Sequence, residues 1–308
     1  MEGSGLPGLL VVGESLVDVL ATSGGRRTRA PGGSPLNVAV TAGRLGTPVA
    51  LRTVLGEDGD GEILRRHLAE SGVRIHSGPR IARTSTAIAH LGTGGQVSYD
   101  VDLEWPALGA ITAEAGAVHT GSLAFFTSPG AADVHAVLRR AHDAGRLTSL
   151  DPNIRPGLVG GRREAVRRIA AALPELDVVK LSEEDAQWLY PDLDRDQMLG
   201  RLRSRGPALT VLTLGEQGAV LATDRSAVTV PAAAARFVDP VGAGDAFMGG
   251  LLHALLDRGA SREGIESADV DLLGEVGAFA ARVAALTVAQ PGANPPWRNA
   301  LRTPASSR

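Results

Sequence analysis

The sequence predicts an α/β protein built on a mostly parallel central sheet with helices on both faces. Three observations lead there. Short apolar runs at 9–12, 49–54, 147–150, 177–181 and 209–214 alternate with longer segments whose apolar residues recur at helical spacing. Glycine-rich turns open two of those segments, at 32–37 and at 242–245. Polar residues near 18, 37, 119–122, 151–155, 182–185, 213–218 and 239–245 nearly all follow predicted strands, and ligands of such sheets gather at the carboxyl ends of the strands.

Composition narrows the class. The 308 residues suit one large α/β domain or two smaller ones. Hydrophobic residues make up 44% and charged residues 21%, ordinary for a globular chain. Aromatics are only 3%, so the core must be built from Ala, Val, Leu and Ile. Lys+Arg 31 against Asp+Glu 34 leaves a net charge of −3, with no field to favour nucleic acid or an acidic membrane. Lys180 is the only lysine, and arginine carries the rest of the positive charge, a bias of genomic composition. The absence of cysteine excludes disulfides, thiolate catalysis and cysteine metal sites. No run is long enough to span a membrane, and MEGSGLPG lacks the basic and apolar regions of a signal peptide. The expected location is the cytoplasm.

Taken in order, 9–12 reads as a buried strand ending at Gly13-Glu14-Ser15, and Leu16, Val17, Val19 and Leu20 are expected to extend it past Asp18. An acid inside an apolar stretch needs a reason, because an unpaired buried charge is costly. Asp18 either binds substrate hydroxyls or faces the surface. A polar, basic stretch at 21–31 precedes the turn at Gly32-Gly33 and a helix that ends at Gly46. Asn37 falls in the first turn of that helix, as a ligand donor and acceptor or as a cap. A strand at 49–54 follows. The acidic, glycine-rich stretch 56–61 lacks the spacing and terminal Glu of a calcium loop, so it reads as a turn before a helix at 62–71.

Two strand-like runs at 84–91 and 96–101 flank a glycine-rich turn. This hairpin breaks the alternation and suits a small accessory sheet, paired with residues near 18–32 and covering a site. A core strand ends near 118–122, where His119 reads as a strand neighbour; no second histidine stands at ligand spacing. A helix at 131–144 and a strand at 147–150 deliver Asp151, Asn153 and Arg155. Spaced two apart, these three are expected to face one side of an extended segment, either around a ligand or as a self-satisfied polar turn.

A helix at 162–173 and a strand at 177–181 lead to Ser182, with acids in the first turn of the next helix. Those residues make a strong helix start, and an acid here also suits water-mediated Mg²⁺ binding. A strand at 209–214 is closed by 215–218, followed by a hairpin of 219–222 and 227–230 around a turn at 223–226. The last apolar helix spans 276–289, broken by 290–293, and 303–308 reads as a loose tail.

The stretch DPVGAGDAFMGG, 239–250, carries the densest chemistry. Phe247, Met248, Leu251, Leu252, Leu255 and Leu256 place a helix start near Gly242. The first N–H groups of a helix lack internal partners, and the dipole there favours an anion. Small residues at 242–244 let a phosphate approach the backbone. Asp245 then stands where a carboxylate orients a hydroxyl and takes its proton during phosphoryl transfer. The alternative is a glycine turn capping a core helix.

GGSPLNVAV at 32–40 and DPVGAGDAF at 239–247 resemble the two signatures of the ribokinase-like (PfkB) sugar kinases, in the expected order. GESLVD at 13–18, DPNIRP at 151–156, KLSEED at 180–185 and TLGEQGA at 213–219 match landmarks between them, over about 9–293. GESLVD, GGSPLNVA and DPNIRP together look most like the fructokinase branch, with the 2-keto-3-deoxygluconate kinases close behind. The resemblance implies one kinase domain over 1–308, with a small β-sheet lid from about 19–32 and 84–105 that often mediates a homodimer. It implies ATP-dependent phosphorylation of a sugar hydroxymethyl group. Asp245 becomes the base, and Gly242, Ala243 and Gly244 the anion hole. Asp18, Gly33 and Asn37 hold sugar hydroxyls, and Arg155 points to the substrate or phosphate. Lys180, Ser182, Thr213, Gly215 and Gly218 lie along the nucleotide. Mg²⁺ accompanies ATP, with Asp185 where the family usually keeps a glutamate for a water-mediated contact. Val241 stands where threonine is common, which leaves the family's monovalent cation, K⁺, open. Ser182 and Asp185 replace a frequent Asn and Glu, and Val159 stands near the place of a common fructokinase Trp.

A sugar-acid kinase, with Arg155 on the carboxylate, and a non-catalytic sugar sensor on the same fold are the other readings. A nucleoside kinase has few aromatic residues to stack a base. No GxGxxG follows the first strand and no GxxxxGK[ST] is present, against a nicotinamide dehydrogenase or an ordinary P-loop enzyme.

Overall fold

The computed structural model describes residues 8–21, 27–91 and 97–301. Chain order runs β1 (Leu9–Val12), β2 (Leu16–Ala21), β3 (Arg27–Gly32), α1 (Ser34–Leu45), β4 (Val49–Thr53), α2 (Gly59–Glu70), β5 (Val73–Ser77), β6 (Thr86–Leu91) and β7 (Val97–Asp102). It continues with β8 (Ala117–Gly121), α3 (Ser122–Phe126), α4 (Ala131–Asp143), β9 (Leu147–Asp151), α5 (Arg162–Ala172), β10 (Val178–Ser182), α6 (Glu183–Leu189) and α7 (Arg195–Arg203). The last third holds β11 (Leu209–Thr213), β12 (Ala219–Ala222), β13 (Ala227–Val230), α8 (Ala243–Asp257), α9 (Arg262–Glu266) and α10 (Val270–Val288).

Two sheets result. The large one has nine strands in the order β13-β12-β11-β10-β9-β8-β1-β4-β5. Its pairs are parallel except for β12, which runs against β11 and β13. The chain builds β4 and β5 outward from β1, then returns to lay β8 on the other side. This reversal opens a crevice at the carboxyl ends of β1 and β8, where ligands of open α/β sheets bind. The small sheet, β3-β2-β6-β7, pairs β2 with β6 in parallel and the rest antiparallel.

Strands buried on both faces show continuous apolar runs rather than alternation, and all four residues of β1 are buried. Leu9 and Val11 point into a core beneath α1, α2, α8, α9 and α10. Leu10 and Val12 point into the opposite core, beneath α3 to α7. The fold is therefore a ribokinase-like three-layer α/β arrangement with a separate four-stranded sheet.

Helix α8 is buried along Asp245–Leu255 and apolar nearly all round, as expected of a central helix. Two small residues let it sink that deep. A Cβ on Gly249 would stand 2.6 Å from the Thr41 Cβ of α1, and one on Gly250 would stand 3.2 Å from the Ala280 Cα of α10.

Several boundaries move. Residues 16–20 do not prolong β1; after Gly13-Glu14-Ser15 the chain crosses to the small sheet as β2. Residues 27–31 of the basic stretch belong to strand β3 (27–32), opposite β2, and its residues 22–26 lie outside the described residues. Helix α2 starts at Gly59 rather than 62, because the Asp58 side chain caps it by accepting the Gly61 N–H. Helix α10 starts at Val270 rather than 276, capped by Asp269 on the Leu272 N–H. Strand β5 and helices α3, α7 and α9 are additions to the expected elements. The turn expected at 92–95 and the tail at 303–308 lie outside the described residues. No helix among those described is long and apolar enough to cross a membrane.

Candidate active site

The site begins at the first turn of α8. Gly242 caps the helix with φ 77°, a left-handed conformation that a side chain would strain, and a Cβ there would also stand 2.6 Å from the Ala293 Cβ. Asp245 is the third helical residue and only 6% exposed. Its Oδ1 accepts from the Ser34 hydroxyl at 2.6 Å and its Oδ2 from the Asn37 amide at 2.8 Å. A longer contact of 3.5 Å comes from the Asn153 amide. Both close donors sit on the first turn of α1, opened by Gly33 with φ 103°. A Cβ on Gly33 would meet the Glu14 carbonyl at 2.8 Å, so β1 and α1 approach closely only with glycine between them.

A cavity of 740 Å³ opens in front of this turn. The small sheet contributes Asp18 and Ala87 to its wall, and the strand ends contribute Glu14, Ser122 and Asp151. Burial, then the neighbouring Asp245 charge, pushes the Asp18 carboxyl up to about 6, against the pull of Arg155. Glu14 is 2% exposed, and burial raises its pKa although its carboxylate accepts the Ala124 N–H at 2.9 Å.

Lys180 projects from β10 into the same cavity, and its ammonium lies 2.6 Å from the Asp151 carboxylate. Burial opposes its charge, but the carboxylates of Asp151, Asp185 and Asp245 outweigh it and raise the lysine's pKa. His119 is buried beside this pair, and burial, then the lysine charge, drop its pKa to about 3. Its Nδ1 lies 2.9 Å from the Ser149 Oγ, a neighbour on the next strand.

Helix α6 starts with a reciprocal capping box between Ser182 and Asp185. The Asp185 carboxylate also accepts the Ile154 N–H at 2.8 Å, which ties the segment after β9 to α6. That segment is not the extended strip expected from 151–155. Asn153 turns it through φ 40°, leaving Asp151 buried and Arg155 exposed. The Arg155 guanidinium hydrogen bonds the Asn153 side chain at 2.8 Å and the Ile154 carbonyl at 3.1 Å.

A second cleft of 650 Å³ adjoins the first. Thr213, Gly215 and Gly218 line one part, and alanines 232–235 with Ala281, Ala284 and Ala285 make the rest apolar. Ser182, Glu184, Pro240, Ala243 and Gly244 border both spaces. The tip of α8 thus stands where a polar cavity meets an apolar cleft.

Asp18, Gly33, Asn37, Arg155, Lys180, Ser182, Asp185 and 242–245 line the cavity, and Thr213, Gly215, Gly218 and again Ser182 line the cleft. Sequence reasoning missed Ser34 and Glu14. A hydroxyl inside GGSP and an acid directly after a strand were the available signals.

Fold and site together define an α/β phosphotransferase of the ribokinase-like kind. The pfkB family carbohydrate kinases match residues 7–300, and the chain belongs to that family. It is an ATP-dependent carbohydrate kinase. A fructokinase of Rhizobium leguminosarum bv. trifolii is 35% identical over 283 residues, covering 86% of this chain and 85% of its own. The fructokinase of Xylella fastidiosa with bound ATP superposes with a TM-score of 0.84 at 28% identity, covering 94% of each chain. The fructokinase of Vibrio cholerae O395, in a form with fructose, ADP and calcium ion bound, gives 0.78 at 28% identity, covering 92% of this chain and 94% of its own.

Proposed function

We propose that this protein transfers the terminal phosphoryl group of ATP to a hydroxymethyl group of fructose or a related ketose. The observation that carries the reading is the position of Asp245, buried at the tip of α8 where the two spaces meet and aligned by Ser34 and Asn37. The sugar lies in the polar cavity with Asp18 and Asn37 on its hydroxyls and Gly33 against it. The nucleotide lies along the cleft, past Ser182, Thr213, Gly215 and Gly218, its phosphates directed at the N–H groups of Gly242, Ala243 and Gly244. Asp245 orients the acceptor hydroxyl and takes its proton as the P–O bond forms. Positioning and charge stabilisation do most of the work in such transfers.

Among the described residues no group of three or more acidic or histidine side chains is gathered as a metal cage. That fits Mg²⁺ arriving on ATP phosphates, because Mg²⁺ usually keeps its waters and takes one or two protein carboxylates. Asp185 reaches it through water, using lone pairs left free by Ile154 and Ser182. Mg²⁺ would supply charge neutralisation on the nucleotide. K⁺ beside 239–242 belongs to the same proposal and is separated from Mg²⁺ by titrating each alone. The outer strands of the small sheet, β3 and β7, present unpaired backbone edges, the surface for a homodimer of a one-domain chain.

One observation favours a second reading. The exposed Arg155 guanidinium at the cavity wall suits the carboxylate of a sugar acid. Sugar-dependent ADP release should be measured with fructose, ribose and 2-keto-3-deoxygluconate, for the wild type and Arg155→Ala. Turnover of fructose that survives Arg155→Ala supports the ketose kinase. Turnover of the keto acid alone, lost with Arg155, replaces it. Calorimetric sugar binding without turnover turns the protein into a sensor.

A further inference from the structure

The last turn of α1 carries Arg44, far along the helix from Ser34 and Asn37. Its Nη1 donates to the Asn294 side-chain oxygen at 2.6 Å and to the Pro295 carbonyl at 2.7 Å. Its Nε donates to the Ser71 hydroxyl, just past α2, at 3.1 Å. The guanidinium also lies 5.2 Å from the centre of the Trp297 ring. Further on, Leu301 packs on the small apolar cluster of Leu45, Ala246 and Val283. Residues 292–301 thus form a strap across α1, and Arg44 fastens it.

At its near end the same strap supports the anion-binding turn. Asp239 Oδ2 accepts the Gly292 N–H at 2.8 Å, and Oδ1 accepts the Val241 N–H at 3.0 Å. Ala293 lies so close to Gly242 that a Cβ on the glycine would stand 2.6 Å from the alanine's Cβ. On the turn itself, Pro240 and Val241 are exposed. Ala293 is therefore the packed side of a turn whose other side faces solvent. Asn294 follows Ala293 directly, with Cα atoms about 3.8 Å apart, so a strap released from Arg44 shifts where it meets Gly242. Donors aimed at developing charge act only if they are already in place.

We propose that Arg44 is a positioning residue for phosphoryl transfer, which holds the strap against Gly242 and so fixes the aim of the N–H groups at 242–244. This rests on the kinase reading above. Arg44 touches neither substrate nor the reacting atoms and exchanges no proton; it acts through Ala293. Helix α1 then sets both halves of the site. Its first turn aligns the base through Ser34 and Asn37, and its last turn holds the anion-binding turn through the strap.

The test compares wild type, Arg44→Met, Asn294→Ala, the double variant and Ser71→Ala, each with Mg-ATP and whichever sugar the wild type turns over. All are assayed at a temperature where circular dichroism shows them folded. Arg44→Met keeps the stem and loses the three hydrogen bonds, and kcat should fall by about 10–10²-fold, the scale of a small misplacement at a distance from the chemistry. KM for the sugar should stay within about threefold, since Asp18 and Asn37 are untouched. Asn294→Ala breaks one bond to the strap and should lower kcat by at least about threefold. The double variant should fall no more than about threefold below Arg44→Met, because both substitutions cut the same link. Ser71→Ala frees Arg44 from α2 alone, and should cost stability while leaving kcat within about twofold of wild type. An unchanged kcat in folded Arg44→Met would overturn the assignment. So would multiplying effects in the double variant, or a loss in Ser71→Ala equal to that in Arg44→Met, which would mark general loosening. If Arg44→Met does not fold, Asn294→Ala decides: wild-type kcat there overturns the role. A wild type without sugar-dependent turnover removes the kinase reading itself.

Discussion

The Ser34 hydroxyl donates to Asp245 Oδ1 across 2.6 Å, joining the first residue of α1 to the third residue of α8, 211 positions apart in the chain. Asn37, one turn along α1, holds the other oxygen at 2.8 Å. Two donors on one helix therefore set the plane of the carboxylate on another. The geometry of the proposed base depends on how closely α1 and α8 pack.

Removing the base should be severe. Asp245→Asn keeps the shape of the side chain but loses the proton acceptor, and kcat is expected to fall by about 10²–10⁴-fold. A coupled assay of ADP release reads it, with circular dichroism to show a retained fold. Full turnover in the variant would remove Asp245 from the role of base.

Removing only the alignment should cost less. Ser34→Ala deletes one donor to the carboxylate, and hydrogen bonds to charged groups contribute about 1.5–3 kcal/mol. A kcat reduced by about tenfold or more, with a smaller change in sugar KM, is the expected outcome. Steady-state kinetics on both substrates separate the two.

Asp18 makes a pH prediction. Its carboxyl is raised from 3.8 to about 6 by burial and Asp245, so it binds its proton more tightly folded than unfolded. Below the unfolded value both states are protonated and no penalty exists; as pH rises through about 6 the folded state comes to bear the full cost of ionising it. Asp18→Asn should therefore melt at or above wild type at pH 7, with the gap closing toward pH about 4. Sugar hydroxyls need the ionised form as acceptor, so wild-type KM for the sugar should rise as pH falls below about 6. A KM flat across that window would detach Asp18 from the sugar.

Packing of α8 gives a stability test with its own control. Gly249→Val forces a side chain into Thr41 and should cost about 1–3 kcal/mol or more in urea unfolding. It should also reduce kcat by displacing Asp245 from Ser34 and Asn37. Gly274 in α10 has nothing within 4 Å of its would-be Cβ. Gly274→Ala should stabilise by about 0.5–1 kcal/mol and leave turnover unchanged. Equal effects of the two substitutions would contradict the close approach of α1 and α8.

Asp185 should prove structural as well as functional. Asp185→Ala removes the carboxylate that accepts the Ser182 N–H in the capping box and also releases the Ile154 N–H, and a buried donor left unpaired costs about 1–3 kcal/mol. Asp185→Asn retains part of that network, so a shifted Mg²⁺ dependence in Asp185→Asn with a near-normal melt would favour the water-mediated ion contact.

The alternation of strands and helices was legible in the sequence alone, because apolar period and glycine punctuation act locally. So was the start of α8, capped by Gly242, where an orphaned helix N-terminus and small residues sit together. Cap residues such as Asp58 and Asp269 were equally local, yet their helices were begun three and six residues late; the first turn of α2, GDGE, carries no apolar period, and in α10 Gly274 and Glu275 interrupt the apolar residues between the first turn, VDLL, and Val276. Pairing of the 84–101 hairpin with residues near 18–32 was legible too, but it took the tertiary structure to show that 16–20 leaves β1 for that small sheet, through pairing with β3 and β6 rather than through propensity. Only the tertiary structure brought Ser34 and Asn37 onto Asp245, and Lys180 onto Asp151 beneath Gly244. Those contacts join residues from 29 to 211 positions apart, and a one-dimensional pattern holds no information about which distant side chains share a buried space.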